Sequence, residues 1–158
     1  MVTPPPDAAA VRLPPPLVYL GAVVGGGLLH VFVLPLRLPL GTPLRIAGAL
    51  LLGALGLGLA AAAIGLFRKS GQDPTPWKPT PEIVSTGVYR VTRNPMYVGL
   101  ALVQTAIAIG WANGWILLAV PAVLLTIWAT AIRHEEEYLE RKFGESYLAY
   151  KRSVRRWL

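Results

Sequence analysis

The feature that most constrains this chain is a long run of apolar residues without a single charge. From Ile46 to Phe67 every residue is apolar or glycine. A helix formed by this run would have no polar face, whereas a helix on the surface of a soluble protein keeps one. Roughly 20 apolar residues are enough for a helix to cross the hydrocarbon core of a bilayer. The run therefore predicts a transmembrane helix.

Three further apolar blocks resemble this one in composition. Together the four blocks cover about 17–36, 44–67, 96–111 and 115–132. Hydrophobic residues make up 54% of the chain and charged residues only 15%, whereas soluble domains carry about one quarter charged residues. We therefore predict an all-α integral membrane protein with about four transmembrane helices, rather than a soluble helical bundle.

Turn and packing signals connect these helices. Asn113-Gly114 lies between Trp111 and Trp115, and this pattern indicates a tight turn with aromatic residues at the membrane interface. Helices three and four should therefore form a hairpin. Gly21 and Gly25 lie four residues apart and would share a helix face, which predicts a close approach of another helix there.

The Lys and Arg residues divide unevenly between the two sides of such a membrane domain. Arg37 and Arg45 fall on one side, and all the others fall on the opposite side. Because cytoplasmic loops carry an excess of Lys and Arg, both termini and the segments 68–95 and 133–158 should be cytoplasmic. Topology and contact with anionic membrane lipids account for the formal net charge of +7. We therefore expect no nucleic-acid partner. The residues on the cytoplasmic side are Arg12, Arg68, Lys69, Lys78, Arg90, Arg93, Arg133, Arg141, Lys142, Lys151, Arg152, Arg155 and Arg156.

We interpret residues 1–158 as a single membrane domain with three parts. Residues 1–16 form a proline-rich irregular lead-in, residues 17–67 form two packing helices, and residues 68–158 hold the polar segments where chemistry is expected. Prolines forbid a long helix between 74 and 95, so that stretch should be an ordered loop anchored by Trp77 and Tyr89. Residues 133–158 should form a cytoplasmic amphipathic helix, broken near Gly144, that suits a membrane surface.

Several classes of site are excluded or unsupported by residue type. The chain has no cysteine, which excludes disulfides, cysteine metal sites and cysteine nucleophiles. Its two histidines, His30 and His134, lie in different segments and do not suffice for a zinc site. We therefore expect no metal.

A row of acids stands at the end of the fourth helix. Glu135, Glu136 and Glu137 follow the apolar block directly, at a depth where an unpaired carboxylate is costly. The predicted hairpin returns Glu135 to the same cytoplasmic rim as Arg93, which precedes helix three. A site at this rim would be open to water on one side and to the bilayer on the other. It could hold a polar cofactor and a lipidic acceptor.

Two motifs flank the hairpin. Ser85-Thr86-Gly87-Val88-Tyr89 followed by Arg93-Asn94-Pro95-Met96-Tyr97-Val98-Gly99 resembles the first signature of the isoprenylcysteine carboxyl methyltransferase family, and of the wider group that includes phospholipid methyltransferases. The second signature resembles Glu135-Glu136, Leu139, Phe143-Gly144, Tyr147 and Tyr150-Lys151. The resemblance covers about 80–156, roughly half of the chain.

The resemblance implies S-adenosylmethionine as the methyl donor, bound at the cytoplasmic rim, and a lipidic or small apolar methyl acceptor. From the convergence at the rim we expect Glu135, Arg93 and Glu136 to be catalytic, and Arg133 and His134 to contact the substrate. An amine or thiol acceptor would need a base such as Glu135, Glu136 or His134, whereas a carboxylate would need none. The cofactor contacts that the resemblance implies are Pro81, Glu82, Ile83, Val84, Tyr89, Asn94, Pro95, Met96, Tyr97 and Glu135.

Two alternatives remain open at the level of sequence. One is a membrane reductase, because sterol-reductase-type proteins resemble this chain in their C-terminal half. Such a reductase would bind NADPH. A non-catalytic membrane scaffold would bind neither cofactor. Binding measurements separate the three hypotheses.

Overall fold

The computed structural model describes residues 9, 11, 13–71, 73 and 78–158. Trp77, Arg12 and most of the predicted lead-in 1–16 lie outside the described residues. The described part is helical and contains no named strand, which confirms the predicted all-α class. Its α-helices are α1 (Pro15–Leu28), α2 (Thr42–Lys69), α3 (Pro95–Gly110), α4 (Gly114–Ile127), α5 (Arg133–Phe143) and α6 (Glu145–Ser153).

The long apolar helices match the predicted membrane spans closely. Among the described residues, three helical stretches are long and apolar enough to cross a membrane, namely Pro15–Val33, Thr42–Lys69 and Gly114–Phe143. The first of these is α1 extended by a π-helical turn over Leu29–Val33. The third predicted span, α3, has 16 residues and is therefore roughly 24 Å long at the usual rise per residue.

Helix α3 lies at the centre of the bundle. It packs against α2, α4 and α1, and α1 packs in turn against α4. The closest approach is between α2 and α3, where a Cβ atom built on Gly56 would lie 2.6 Å from the carbonyl oxygen of Gly99. Only glycine permits the two backbones to lie this close, as at other small-residue helix contacts in membranes.

The glycine contact predicted in the first helix is wrong. Positions Gly21 and Gly25 have no neighbouring atom within 4 Å of an added Cβ. The next two glycines carry the contact instead, because a Cβ on Gly26 would meet Ile116 at 2.7 Å and one on Gly27 would meet Trp111 at 2.9 Å. The packing face of α1 is therefore rotated away from the one that the spacing suggested.

The predicted hairpin between α3 and α4 is confirmed. Asn113 caps α4, since its side-chain oxygen accepts a hydrogen bond from the Ile116 amide at 3.2 Å. Its side-chain nitrogen donates to the carbonyl of Gly26 at 3.1 Å. One buried asparagine thus fixes the turn and ties it to α1.

The fourth apolar helix continues beyond the apolar block. A π-helical turn over Trp128–Ile132 joins α4 to α5 without a break. Gly144 then adopts a positive φ of 53° and separates α5 from α6, as the sequence predicted. This arrangement brings α5 and α6 to the end of the bundle where α2 ends and α3 begins.

The proline-rich segment between α2 and α3 contains no α-helix among its described residues. A short 3-10 helix covers Gly87–Arg90, and Gly87 has a positive φ of 57°. Thr92 then forms an isolated parallel bridge with Arg155. The segment is thereby held against the end of the chain's last described helix.

Candidate functional site

A cavity lies where the loop before α3 meets α5 and α6. Its volume is about 110 Å³, and it is partly open to solvent. Both sequence motifs contribute to its wall. The lining residues are Ala9, Phe67, Asp73, Thr80, Glu82, Ile83, Val84, Tyr89, Arg93, Asn94, Pro95, Met96, Tyr97, Glu135, Glu136, Tyr138, Leu139, Tyr147 and Tyr150.

Glu135 is held in the cavity wall by a tyrosine. The hydroxyl of Tyr97, in the first turn of α3, donates a hydrogen bond to Glu135 Oε1 at 2.5 Å. The main-chain carbonyl of Tyr97 accepts a second bond from the hydroxyl of Tyr19 at 2.9 Å. An ionised carboxylate accepts about four hydrogen bonds. Glu135 can therefore accept further hydrogen bonds from a ligand, above all through its second carboxylate oxygen.

Glu136 is the centre of a buried ion cluster. Its side chain is only 9% exposed and forms two parallel hydrogen bonds with Arg156, from Nε at 3.0 Å and from Nη2 at 2.9 Å. Arg93 Nη2 lies 3.3 Å away, and Lys151 Nζ lies 3.8 Å away. A buried carboxylate requires such compensation, so Glu136 acts first as the partner of these cations.

The predicted convergence of Arg93 and Glu135 needs one refinement. Both residues line the cavity, as the hairpin predicted. The carboxylate that pairs with Arg93, however, belongs to Glu136. Adjacent residues on a helix point about 100° apart, so α5 presents one acid to Tyr97 and the next to the arginines.

The cavity wall contains buried donors that have no protein partner. Arg93 Nε and Nη1 and the hydroxyl of Tyr89 are buried and make no hydrogen bond within the described structure. A buried polar group without a partner is costly. These groups therefore fit a ligand that brings its own acceptors, above all an anionic one for Arg93.

Aromatic side chains also line the cavity and contact one another. Tyr89 packs against Phe67 with ring centroids 5.6 Å apart, and the Tyr150 hydroxyl donates to the Tyr89 carbonyl at 2.7 Å. Burial raises the pKa of Tyr150 to about 12, so this hydroxyl remains protonated at neutral pH. The tyrosines can both stack on a planar group and donate hydrogen bonds.

Most of the predicted site residues lie in this cavity. Among the predicted cofactor contacts, Pro81 is the exception, since it is exposed and does not line the cavity. Asn94 stands at the N-cap position of α3, but its side chain makes no cap hydrogen bond and donates to the Arg156 carbonyl at 3.0 Å instead. The predicted contacts that do line the cavity are Glu82, Ile83, Val84, Tyr89, Asn94, Pro95, Met96, Tyr97 and Glu135.

The two predicted substrate residues lie elsewhere. Arg133 is exposed and bonds Glu137 Oε1 at 2.9 Å through Nε. His134 Nδ1 lies 4.0 Å from the same glutamate, and neither residue lines the cavity. The predicted substrate residues therefore lie outside the cavity wall.

Part of the cavity wall consists of residues outside the predicted site. These lining residues include Phe67, Thr80, Tyr138, Leu139, Tyr147 and Tyr150. Leu139, Tyr147 and Tyr150 belong to the second motif, but no contact with a ligand is predicted for them. Helical spacing could have identified two of the lining residues, because Tyr138 and Leu139 lie three and four residues after Glu135 and share its helix face. Within the described residues, no group of His, Cys, Asp and Glu side chains is suited to holding a metal ion.

Comparisons with known proteins show the family of this chain. The phospholipid methyltransferase family matches residues 44–146, which is more than half of the chain. An uncharacterized protein from Haemophilus influenzae is 43% identical over 63 residues, covering 40% of this chain and all of that protein.

Two plant enzymes are also similar to the chain. Protein-S-isoprenylcysteine O-methyltransferases B and A from Arabidopsis thaliana are 30% and 33% identical over 73 and 72 residues, or 46% of this chain in each case. These alignments cover 37% and 36% of the two plant proteins, and no solved structure matches the chain. The chain belongs to the phospholipid methyltransferase family.

Proposed function

We propose that this protein is a membrane-embedded methyltransferase that uses S-adenosylmethionine and methylates a lipidic or small apolar acceptor. The observation that carries the proposal is the cavity at the end of the bundle where α2 ends and α3 begins. It joins both motif segments and combines Glu135, an arginine with uncommitted donors and several aromatic rings.

The residues of this cavity fit the donor group by group. Arg93 has two buried nitrogens without a partner, which suit the carboxylate of the donor's amino-acid part. Glu135 can accept hydrogen bonds from an ammonium or ribose hydroxyl. Tyr89 and the neighbouring rings suit adenine, and aromatic faces also favour a nearby sulfonium cation.

When bound, S-adenosylmethionine supplies an activated methyl group for an in-line displacement. The contribution of the protein is therefore positioning and exclusion of water. The Tyr97–Glu135 hydrogen bond fixes the acid that contacts the cofactor, and the Arg156–Glu136 pair fixes the second acid. Apolar side chains such as Phe67, Ile83 and Leu139 exclude water from the same wall.

Several features support an acceptor that arrives from the membrane. The cavity lies at the ends of α2 and α3, both of which we assign to the bilayer, and part of its wall is apolar. The two similar plant enzymes are named for an isoprenylcysteine, which joins a reactive group to an apolar chain. An acceptor of the same general form, with a polar reacting group and a lipidic anchor, suits a site at this depth.

We also propose that the cavity faces the cytoplasm and that 68–158 is the catalytic half of one membrane domain. The excess of Lys and Arg on this side supports the orientation. Ala9 and, in α2, Phe67 add two residues from the part of the chain before this half to the proposed site.

The proposal is tested by calorimetric titration of protein purified in nanodiscs. S-adenosylmethionine and S-adenosylhomocysteine should bind with micromolar dissociation constants, and NADPH should not bind. Binding of NADPH alone would move the protein to the reductases. Absence of binding by any of the three, in folded protein, would favour the scaffold hypothesis.

A further inference from the structure

The segment after α6 folds back onto the first motif. The Arg93 amide donates to the Arg155 carbonyl at 2.9 Å. The Thr92 hydroxyl and the Asn94 side-chain amide both donate to the Arg156 carbonyl at 3.0 Å. The main chain of two successive residues therefore holds Thr92 and the two motif residues that follow it, Arg93 and Asn94. The family match ends at residue 146 and assigns nothing to this segment.

The side chain of Arg156 makes a second connection, to the second motif. Its Nε and Nη2 atoms bond the two carboxylate oxygens of Glu136 at 3.0 and 2.9 Å. Parallel bonds of this kind are among the strongest that arginine makes. One residue thus links the first motif through its carbonyl and the second motif through its guanidinium.

Arg93 and Arg156 share the same carboxylate unequally. Arg93 approaches Glu136 only through Nη2, at 3.3 Å, while its Nε and Nη1 have no hydrogen-bond partner. The side chain of Arg93 is 8% exposed and that of Arg156 is 35% exposed. If the pair between Arg156 and Glu136 were absent, Arg93 would be the adjacent buried cation able to take both carboxylate oxygens.

We propose that Arg156 is a positioning residue that occupies Glu136 and thereby keeps Arg93 available to the carboxylate of the bound cofactor. This inference rests on the proposed function, because it concerns how the same cavity recognises its cofactor. Its specific consequence is that Arg156 influences the amino-acid end of the ligand and leaves the nucleoside end unaffected.

Two ligands that differ at that end provide the test. S-adenosylhomocysteine has the amino-acid carboxylate, whereas 5′-methylthioadenosine has the same thioether and nucleoside without it. Arg156→Gln should lower the affinity for S-adenosylhomocysteine about tenfold or more, the scale of a lost charge-assisted contact. Its affinity for 5′-methylthioadenosine should change less than about threefold. Arg155→Gln is the matched control, since the Arg155 side chain is exposed, and it should bind both ligands like the wild type.

A double variant covers the case in which Arg156→Gln alone does not fold. Glu136→Gln with Arg156→Gln removes the acid for which the arginines compete, so Arg93 is free again. This variant should bind S-adenosylhomocysteine more weakly than the wild type, but by less than the roughly tenfold expected for Arg156→Gln, whereas a purely structural role of Arg156 predicts no such recovery.

The outcomes separate this inference from the proposed function. Equal losses for the two ligands in Arg156→Gln, or no recovery in the double variant, would overturn the inference while leaving the proposed function intact. Failure of the folded wild type to bind S-adenosylhomocysteine would overturn the proposed function and this inference together.

Discussion

At the scale of single residues, two neighbouring glutamates have opposite surroundings. Glu135 faces the hydroxyl of Tyr97, which donates one hydrogen bond to it. Glu136 faces three cations, of which Arg156 binds it most closely. Because the environment of a carboxylate sets what it can do, we assign Glu135 to the ligand and Glu136 to the positioning of the arginines.

Tyr97 connects three helices at the same site. Its hydroxyl bonds Glu135 in α5, and its carbonyl accepts the hydroxyl of Tyr19 in α1. A shift of α1 would therefore reach the cavity through a single residue of α3. The motif identified Tyr97 as a site residue, but its partner Tyr19 is 78 residues away in sequence and could not be recognised from spacing.

Asn94 shows how a local pattern can give the right place and the wrong contact. An asparagine before Pro95 predicts an N-cap, and Asn94 does occupy the N-cap position of α3. Its amide instead satisfies the Arg156 carbonyl. A partner 62 residues away cannot be inferred from helix-capping rules.

At the scale of elements, the pairing of α2 with α3 depends on two facing glycines. A Cβ on either Gly56 or Gly99 would lie 2.6 Å from the carbonyl oxygen of the other. That distance is too short for any real contact, so a larger side chain must push the helices apart. Because α3 begins with cavity residues, this contact also positions one side of the site.

Gly56→Ala should therefore destabilise the protein by about 1–3 kcal/mol, the usual cost of overpacking a well-packed contact. Gly58→Ala is the control, because no atom lies within 4 Å of an added Cβ there. It should be neutral or slightly stabilising, since alanine favours a helix over glycine. Unfolding by titration with a denaturing detergent measures both, and equal stability of the two variants would contradict the assigned contact.

The helices themselves were predictable from the sequence, whereas their contact faces were not. Apolar block length fixed the second span at 44–67, close to the observed Thr42–Lys69. The block is apolar on every face, so periodicity held no information about which glycines meet a neighbour. In α1 the four-residue spacing likewise pointed to Gly21 and Gly25, whereas Gly26 and Gly27 in α1 and Gly56 in α2 make the contacts.

At the scale of the whole molecule, polar chemistry is concentrated at one end of the bundle. The cavity, the ion cluster around Glu136 and helices α5 and α6 all lie there. The opposite end carries the 34–41 segment, where the Arg37 backbone pairs with Asn113. The uneven division of Lys and Arg along the sequence therefore corresponds to a concentration of charged residues at one end of the folded molecule.

This asymmetry predicts the orientation of the protein in the membrane. The chain has no native cysteine, so single-cysteine variants report one position each. Gly41→Cys should react with a membrane-impermeant maleimide in intact spheroplasts, and Ser146→Cys should react only after permeabilisation. Both positions are exposed, which makes them matched probes. The reverse labelling pattern would show that the cavity faces away from the cytoplasm.

The central claim, that this cavity binds the methyl donor, is tested most directly with two variants of one helix. Glu135 lines the cavity, whereas Glu137 is exposed and pairs with Arg133 outside it. Titration with S-adenosylhomocysteine should show about tenfold or greater loss of affinity for Glu135→Gln and no change for Glu137→Gln, with both proteins folded. Unchanged binding by folded Glu135→Gln would contradict the placement of the cofactor in this cavity.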